Sequence, residues 1–455
     1  MLLPETILQS LSNVKDFDSA AFQEAHLHPP ATSIRLHPAK QANLPFEQTI
    51  PVPWCQDGIY LSERPVFTLD PLFHAGSYYV QEASSMFLDH AVKQLFPDRD
   101  HLRVLDLCAA PGGKSTLLAS LLGEKSLLIS NEVIRSRATI LEENAVRWGY
   151  SNNWVSSNDP KDFGKLSGYF DLIVVDAPCS GSGLFRKDEK ALENWSQANV
   201  LHCAARQKRI LADVWDSLKE DGVLIYATCS YSPEEDEEII DWINDELGAA
   251  ALTVPLKKDW NIVESISPKN HFPCYRFFPD KVRGEGFFIA AIRKNRSAPS
   301  LKAPKARLAP QEKVGQLSKT ILEDKDWSFI ETGEGWQAFL KDHETDYLQL
   351  KTFLYLRKTG VTIGNFTPKE WIPHHELAMS IDKHSALQTV DVNRETALRF
   401  LKKEDTGNME LPKGWYLVTY QGLSLGWIKS IGSRNNNYLP KNWRIRMELP
   451  PEDQA

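Results

Sequence analysis

The chain has 455 residues, 42% of them hydrophobic and 25% charged; this is a soluble, globular balance, and the length predicts two or three domains. No apolar run reaches the length of a bilayer span, and the opening MLLPETILQS lacks the basic start and long apolar stretch of a secretion signal. Six cysteines without a CxxC pair argue against zinc and a disulfide framework and for a reducing, cytoplasmic setting, while a net charge of −8 excludes a generally basic surface but not a local one.

Residues 1–75 mix helical stretches with proline-rich connectors such as His28-Pro29-Pro30 and Pro51-Val52-Pro53, and are expected to form an α+β extension. Residues 76–294 alternate short apolar runs with helical patterns. Strands are expected at Arg103–Leu107, Ser126–Asn131, Trp154–Ser157, Asp171–Asp176, Val223–Thr228 and Gly286–Ile292. Helices are expected near Lys114–Leu122, Ser136–Trp148 and Gln197–Leu218. Such alternation predicts an α/β fold with an open, doubly wound, mostly parallel sheet. Residues 295–313 hold three prolines, five basic residues and almost nothing bulky, and read as a linker. Residues 314–455 lose the βαβ rhythm and are rich in tryptophan, tyrosine and glycine turns, which predicts an α+β or mostly β module.

The most informative turn is Val104-Leu105-Asp106-Leu107-Cys108-Ala109-Ala110-Pro111-Gly112-Gly113-Lys114-Ser115-Thr116. A strand ends, small residues turn, and a helix starts, as at ligand sites in open α/β sheets. A P-loop needs glycine where Cys108 stands, and Gly181-Ser182-Gly183 lacks the third glycine of a dinucleotide fingerprint. What remains is a set of acids at successive strand ends. Asp106 and the turn would hold the amino-acid end of a nucleoside ligand, with Lys114 facing its carboxylate. Glu132 would take the ribose hydroxyls, and Asp159 the adenine amino group. Any one of these acids could simply cap a helix; three in series argue for the site.

Two strands deliver cysteines to the same sheet edge, through Asp176-Ala177-Pro178-Cys179-Ser180-Gly181 and Thr228-Cys229-Ser230-Tyr231. A thiolate there can serve as a covalent nucleophile. Cys55, Cys203 and Cys274 read as small buried hydrophobes. Spacing does not say which of the two loop cysteines attacks.

LDLCAAPGGK, DAPCSGSG and ATCSYSPEE together resemble the Nop/Sun family of RNA cytosine-C5 methyltransferases. Tyr78–Ser85, Phe185-Arg186-Lys187-Asp188 with Asn194-Trp195, and Arg276–Phe288 match further family segments in order. The resemblance implies a Rossmann-like class I methyltransferase fold and S-adenosylmethionine as cofactor. It implies cofactor contacts at Cys108, Ala109, Ala110, Pro111, Gly112, Gly113, Lys114, Glu132, Asp159 and Asp176; Glu132 stands where relatives often carry aspartate. It makes Cys229 the nucleophile at cytosine C6 and Cys179 the aid to product release. Asp176 is the natural group to bind and activate the cytosine near N3. No catalytic metal is expected.

The C-terminal region more loosely resembles the bacterial RsmF-type branch and its PUA-like RNA-binding extension, at Gly360–Gly364, Pro373–Ala378, Gly414–Tyr420, Leu425-Gly426-Trp427 and Asn437–Arg444. The implied partner is ribosomal RNA or the 30S subunit, met by a monomer, with the N-terminal extension helping to bind RNA. Residues 411–447 contain no acid, and interleave Lys429, Arg434, Lys441 and Arg444 with aromatic side chains that stack on bases or fill a core. Arg186 and Lys187 would guide RNA to the Cys179 loop. The run Glu234-Glu235-Asp236-Glu237-Glu238 looks like a metal site, but reads as a helix start with Ser232 as cap, Pro233 in the first turn and Glu235 closing a capping box. Transfer RNA as substrate, or a non-catalytic assembly factor, are the competing readings.

Overall fold

The computed structural model describes residues 3–297, 301, 304, 306–407 and 409–448. Five parallel strands make the centre of a ten-stranded sheet: β1 (Arg103–Asp106), β2 (Leu127–Asn131), β3 (Asn153–Ser156), β4 (Phe170–Asp176) and β5 (Leu218–Thr228). They lie in the order β3-β2-β1-β4-β5. All six expected strands are present with ends shifted by a few residues, and β5 starts earlier than its apolar run. The sheet then continues antiparallel through β6 (Phe287–Lys294), Pro273–Phe277 and Val263–Ile266. The fold is therefore Rossmann-like, with a parallel centre and antiparallel flanks.

Alternate residues of each strand face opposite layers. Leu105, Ile129, Ile173 and Val175 pack with Ile210, Leu211 and Val214 of the helix Gln197–Trp215. Val104, Leu128, Leu172 and Val174 pack with Leu117 and Leu118 of the helix Gly113–Leu121 and with Leu88. Burial on both faces explains why these strands read as unbroken apolar runs. The register sets Asp106 opposite Ser130 and Val174, and Asp176 opposite Ala227, so every carboxyl strand end opens on one edge.

Two domain boundaries differ from expectation. The N-terminal sheet, formed by Thr32–Leu36, Ile50–Pro51 and Gly58–Leu61, takes Tyr78–Val80 as a fourth strand, so it runs past residue 75. Nor is 314–455 one separate module. Its strand Leu356–Lys358 (β7) pairs antiparallel with β3 at the edge of the central sheet, and Phe339, Leu350 and Leu354 join the catalytic core. Pairing partners so far apart in sequence leave no local signal. Two four-stranded sheets complete this part of the chain, one from Trp327 to Pro373 and one from Thr389 to Asn437. The expected linker lies partly outside the described residues; the helix Glu312–Ile321 begins within its last two positions. Among the described residues, no helix is long and apolar enough to cross a membrane.

Candidate active site

The turn after β1 is pinned from both sides: Leu107 N donates to Val174 O at 3.0 Å and Ala109 N to Asn131 O at 2.8 Å. Gly112, at φ +117°, lets the chain swing into its helix in a conformation closed to other residues. One turn into that helix, Ser115 Oγ donates to Asp106 Oδ2 at 2.6 Å. Asp106 Oδ1 is buried and has no partner. Burial lifts the Asp106 carboxyl to about 7, against the pull of Ser115 and Lys114. Lys114 Nζ donates to Asp176 Oδ2 at 2.7 Å. Burial works against the Lys114 charge, but the Asp176 carboxylate outweighs it and raises the ammonium pKa.

Glu132, just past β2, is buried; its Oε1 accepts from Ile134 N at 2.9 Å and its Oε2 lies 3.3 Å from Arg137. Asp159 does cap a short helix, accepting from Lys161 N at 3.2 Å. It nonetheless lines a cavity of about 360 Å³ together with Cys108, Glu132, Asp176, Cys179 and Cys229. A second cavity of about 370 Å³ is lined by Gln81, Asp106, Ala109, Pro111, Gly113 and Lys114, among others. The two share Cys108, Ala110, Asp176, Leu184 and Cys229. Gly112 lies outside both linings and shapes the turn instead.

The sulfur atoms of Cys179 and Cys229 are 3.1 Å apart, and both cysteines are free. The contact with Cys229, then burial, holds the Cys179 thiol well above its ordinary pKa. Either sulfur can donate to the other across this contact. Their loops are packed tightly: a side chain on Gly183 would come within 2.8 Å of Cys229 O and 2.5 Å of Gly286 O.

The acidic run after Cys229 corrects the capping reading. Ser232 makes no side-chain cap, and Glu235 turns to the two cysteine loops instead. Glu235 accepts from Ser180 N at 2.8 Å, Ser180 Oγ at 2.5 Å and Ser230 Oγ at 2.6 Å, so one buried carboxylate binds the residue after each cysteine. Three donors in a water-poor site satisfy it better than one helix N–H. Asp236 accepts from Thr228 Oγ1 at 2.6 Å. Arg276, fully buried, pairs with Asp236 and Glu237. Sequence reasoning missed Glu235 and Arg276 as site supports. A usable signal was an arginine inside the apolar stretch Pro273–Phe277, which demanded buried acids.

The cations fare differently. Arg186, expected to guide RNA, has a side chain only 7% exposed; it pairs with Glu285 at 2.7 Å and donates to Gly284 O and Ala25 O. That commits it to the fold and leaves Lys187 as the exposed member. Lys429 is bonded to Glu370 and lies over Trp415, because tertiary structure supplies the acid its own segment lacks. Tyr416 and Trp427 are core residues. Arg434, Lys441 and Arg444 are exposed and carry no ion pair among the described residues.

The parallel strands, the small-residue turn and the acids at successive strand ends define an S-adenosylmethionine-dependent methyltransferase. Residues 93–293 match "16S rRNA methyltransferase RsmB/F", residues 3–83 match the "N-terminal domain of 16S rRNA methyltransferase RsmF", and residues 387–445 match the "Methyltransferase RsmF PUA domain". Ribosomal RNA small subunit methyltransferase F of Vibrio parahaemolyticus is 31% identical over 96% of this chain and 95% of its own. The protein of that name from Pectobacterium atrosepticum is 31% identical over 87% of this chain and 84% of its own. The chain thus belongs to the ribosomal RNA small subunit methyltransferase F family. Among solved structures, a methyltransferase homologue from Pyrococcus horikoshii is 28% identical, with a TM-score of 0.51, over 64% of this chain and all of its own. NSun6 from Pyrococcus horikoshii, solved with the S-adenosylmethionine analogue SFG, shares the fold with a TM-score of 0.53 at 18% identity, over 65% of this chain and 99% of its own.

Proposed function

We propose that this protein methylates carbon 5 of a cytosine in small-subunit ribosomal RNA, with Cys229 as the attacking thiolate. The observation that carries the reading is the 3.1 Å pairing of the two sulfurs, with Cys229 and Asp176 lining both cavities, one holding Glu132 and Asp159 and the other Asp106 and Lys114. S-adenosylmethionine, when bound, supplies an electrophilic methyl group.

The residues fit that cofactor. The unpartnered, buried Oδ1 of Asp106 is an acceptor suited to the ligand's ammonium. Cys108–Lys114 would surround its amino-acid end. Glu132 would accept from the ribose hydroxyls, and Asp159 from the adenine amino group.

The Cys229 sulfur adds to cytosine C6, forming a C–S bond and moving electron density through the ring to C5. Asp176, positioned by Lys114, faces the N3 side of the ring, where its carboxyl group in the protonated form would donate to N3 as the C6 adduct forms. After methyl transfer water takes the C5 proton, the C5–H electrons form the C5–C6 double bond, and the C6–S electrons leave with the Cys229 sulfur as thiolate. Cys179, adjacent to the departing sulfur, assists this release. The PUA region carries the RNA contacts of Arg434, Lys441 and Arg444, and Lys187 lies beside the active-site loop. The target base must leave its stack, so an irregular or single-stranded segment is the expected substrate.

Purified protein, labelled S-adenosylmethionine and small-subunit RNA, either naked or as 30S subunits, test the reading. Nucleoside mass spectrometry should find 5-methylcytidine. Product on transfer RNA alone would move the substrate to that class, and no product on any RNA would reject the enzyme reading.

A further inference from the structure

Beside the catalytic cavity lies a second recess that the reaction does not use. Its volume is about 480 Å³, and its walls include Pro29, Pro30, Arg64, Arg186, Pro279 and Arg283. The prolines offer no N–H and little freedom, and the positive charge of the recess comes from three guanidinium groups. Arg186 is already neutralised by Glu285. Arg64 and Arg283 are exposed, and neither has a carboxylate within ion-pair distance among the described residues. Glu63, on the rim, pairs with neither of them. Two guanidinium groups without an ion-pair partner at one recess make a local positive site in a chain of net charge −8.

Both arginines are held by their aromatic neighbours rather than by charge. Arg283 lies 4.7 Å over the Tyr60 ring and Arg64 5.5 Å from the Phe67 ring. Arg283 Nη2 also donates to Leu61 O at 3.4 Å, and stacking of this kind fixes a guanidinium while leaving its remaining N–H groups for an anion.

The recess and the catalytic cavity share a wall. Arg283 and Gly284 face the recess, and Glu285 and Gly286 line the catalytic cavity. Four extended residues span at most about 13 Å, so a nucleotide with its base at Cys229 has flanking phosphates within reach of the recess. Gly284 keeps this wall close to the Tyr78–Ser85 segment: a side chain there would meet Ser84 Oγ at 2.3 Å and Glu82 Oε1 at 2.8 Å.

We propose that Arg64, from the N-terminal domain, and Arg283, from the segment leading into β6, clamp a backbone phosphate of the RNA strand next to the target nucleotide. The clamp rests on the reading of RNA as substrate and adds to it a specific role for the N-terminal domain. It reads no base, so it strengthens binding to all sequences alike.

The test uses full-length protein and a labelled single-stranded oligoribonucleotide, with anisotropy titrations across about 50–200 mM KCl. Loss of one phosphate contact should lower the slope of log affinity against log salt by about 0.7. Arg64→Gln and Arg283→Gln should each show that loss and raise the KM for RNA, with S-adenosylmethionine affinity unchanged by calorimetry; Arg283→Lys should restore most of the slope. Wild-type slope and KM in both glutamine variants would overturn the clamp. If Arg283→Gln also loses cofactor affinity, its stacking on Tyr60 supports the fold, and Arg64→Gln alone decides. A wild-type protein that methylates no cytosine in any RNA would instead remove the reading beneath the proposal.

Discussion

Cys179 and Cys229 are 50 residues apart in the chain, and their sulfur atoms sit 3.1 Å from each other. Contact with Cys229, then burial, pushes the Cys179 thiol well above its ordinary pKa. A single thiol at this edge would have no second sulfur beside it for the proposed release step.

The first expected outcome concerns attack. Cys229→Ala should lower methyl transfer by at least about 10³-fold, since a nucleophile acts only in the reacting complex. Cofactor affinity should be nearly unchanged. Radiolabelled methyl transfer and calorimetry on the same preparation check this, and substantial activity in the variant would reject covalent catalysis by Cys229.

Release is a separate step with its own signature. Cys179→Ala should still form the C–S bond but stall afterwards, so that protein and RNA co-migrate on a denaturing gel. Adding Cys229→Ala should abolish that band. Fast turnover by Cys179→Ala would remove the release role.

Cofactor binding should depend on pH through Asp106. Burial raises its carboxyl to about 7. A ligand ammonium needs the carboxylate, which is present above that value and lost as pH falls through it. Affinity for S-adenosylmethionine should therefore drop as pH falls below about 7, approaching tenfold per unit. Asp106→Asn should bind weakly and show a flat profile over the same range.

Glu235 holds both cysteine loops without facing the reacting atoms. Glu235→Ala leaves the donors of Ser180 and Ser230 without their buried acceptor, at about 1–3 kcal/mol for each such group. Thermal denaturation should show a lower midpoint. Steady-state kinetics should show a kcat loss that Glu235→Gln partly restores, because the amide keeps one acceptor oxygen.

Deletion of residues 314–455 should damage more than RNA binding. It removes β7 from the edge of the catalytic sheet and strips Phe339, Leu350 and Leu354 from its core. A marked fall in the melting temperature is expected, or aggregation. A truncated protein as stable as the full chain would show that β7 is dispensable.

What the sequence determined by itself is local. Each strand end carries its own candidate site residue within a few positions: Asp106 and the turn after β1, Glu132 after β2, Asp176 and Cys179 after β4, Cys229 after β5. Alternating apolar runs and helical segments specify a parallel sheet, and a parallel sheet brings those ends to one edge whatever the rest of the chain does. The gathering of these candidate residues at one edge was legible for that reason. Only tertiary structure decided which charges are free. Arg186 and Lys429 have the composition of RNA ligands, but their partners Glu285 and Glu370 lie 99 and 59 positions away. Glu235 resembles a helix cap until Ser180, 55 residues earlier, is folded against it. Ion pairs and buried hydrogen bonds act over a few ångströms in space and have no preferred separation along the chain, so periodicity and composition cannot report them.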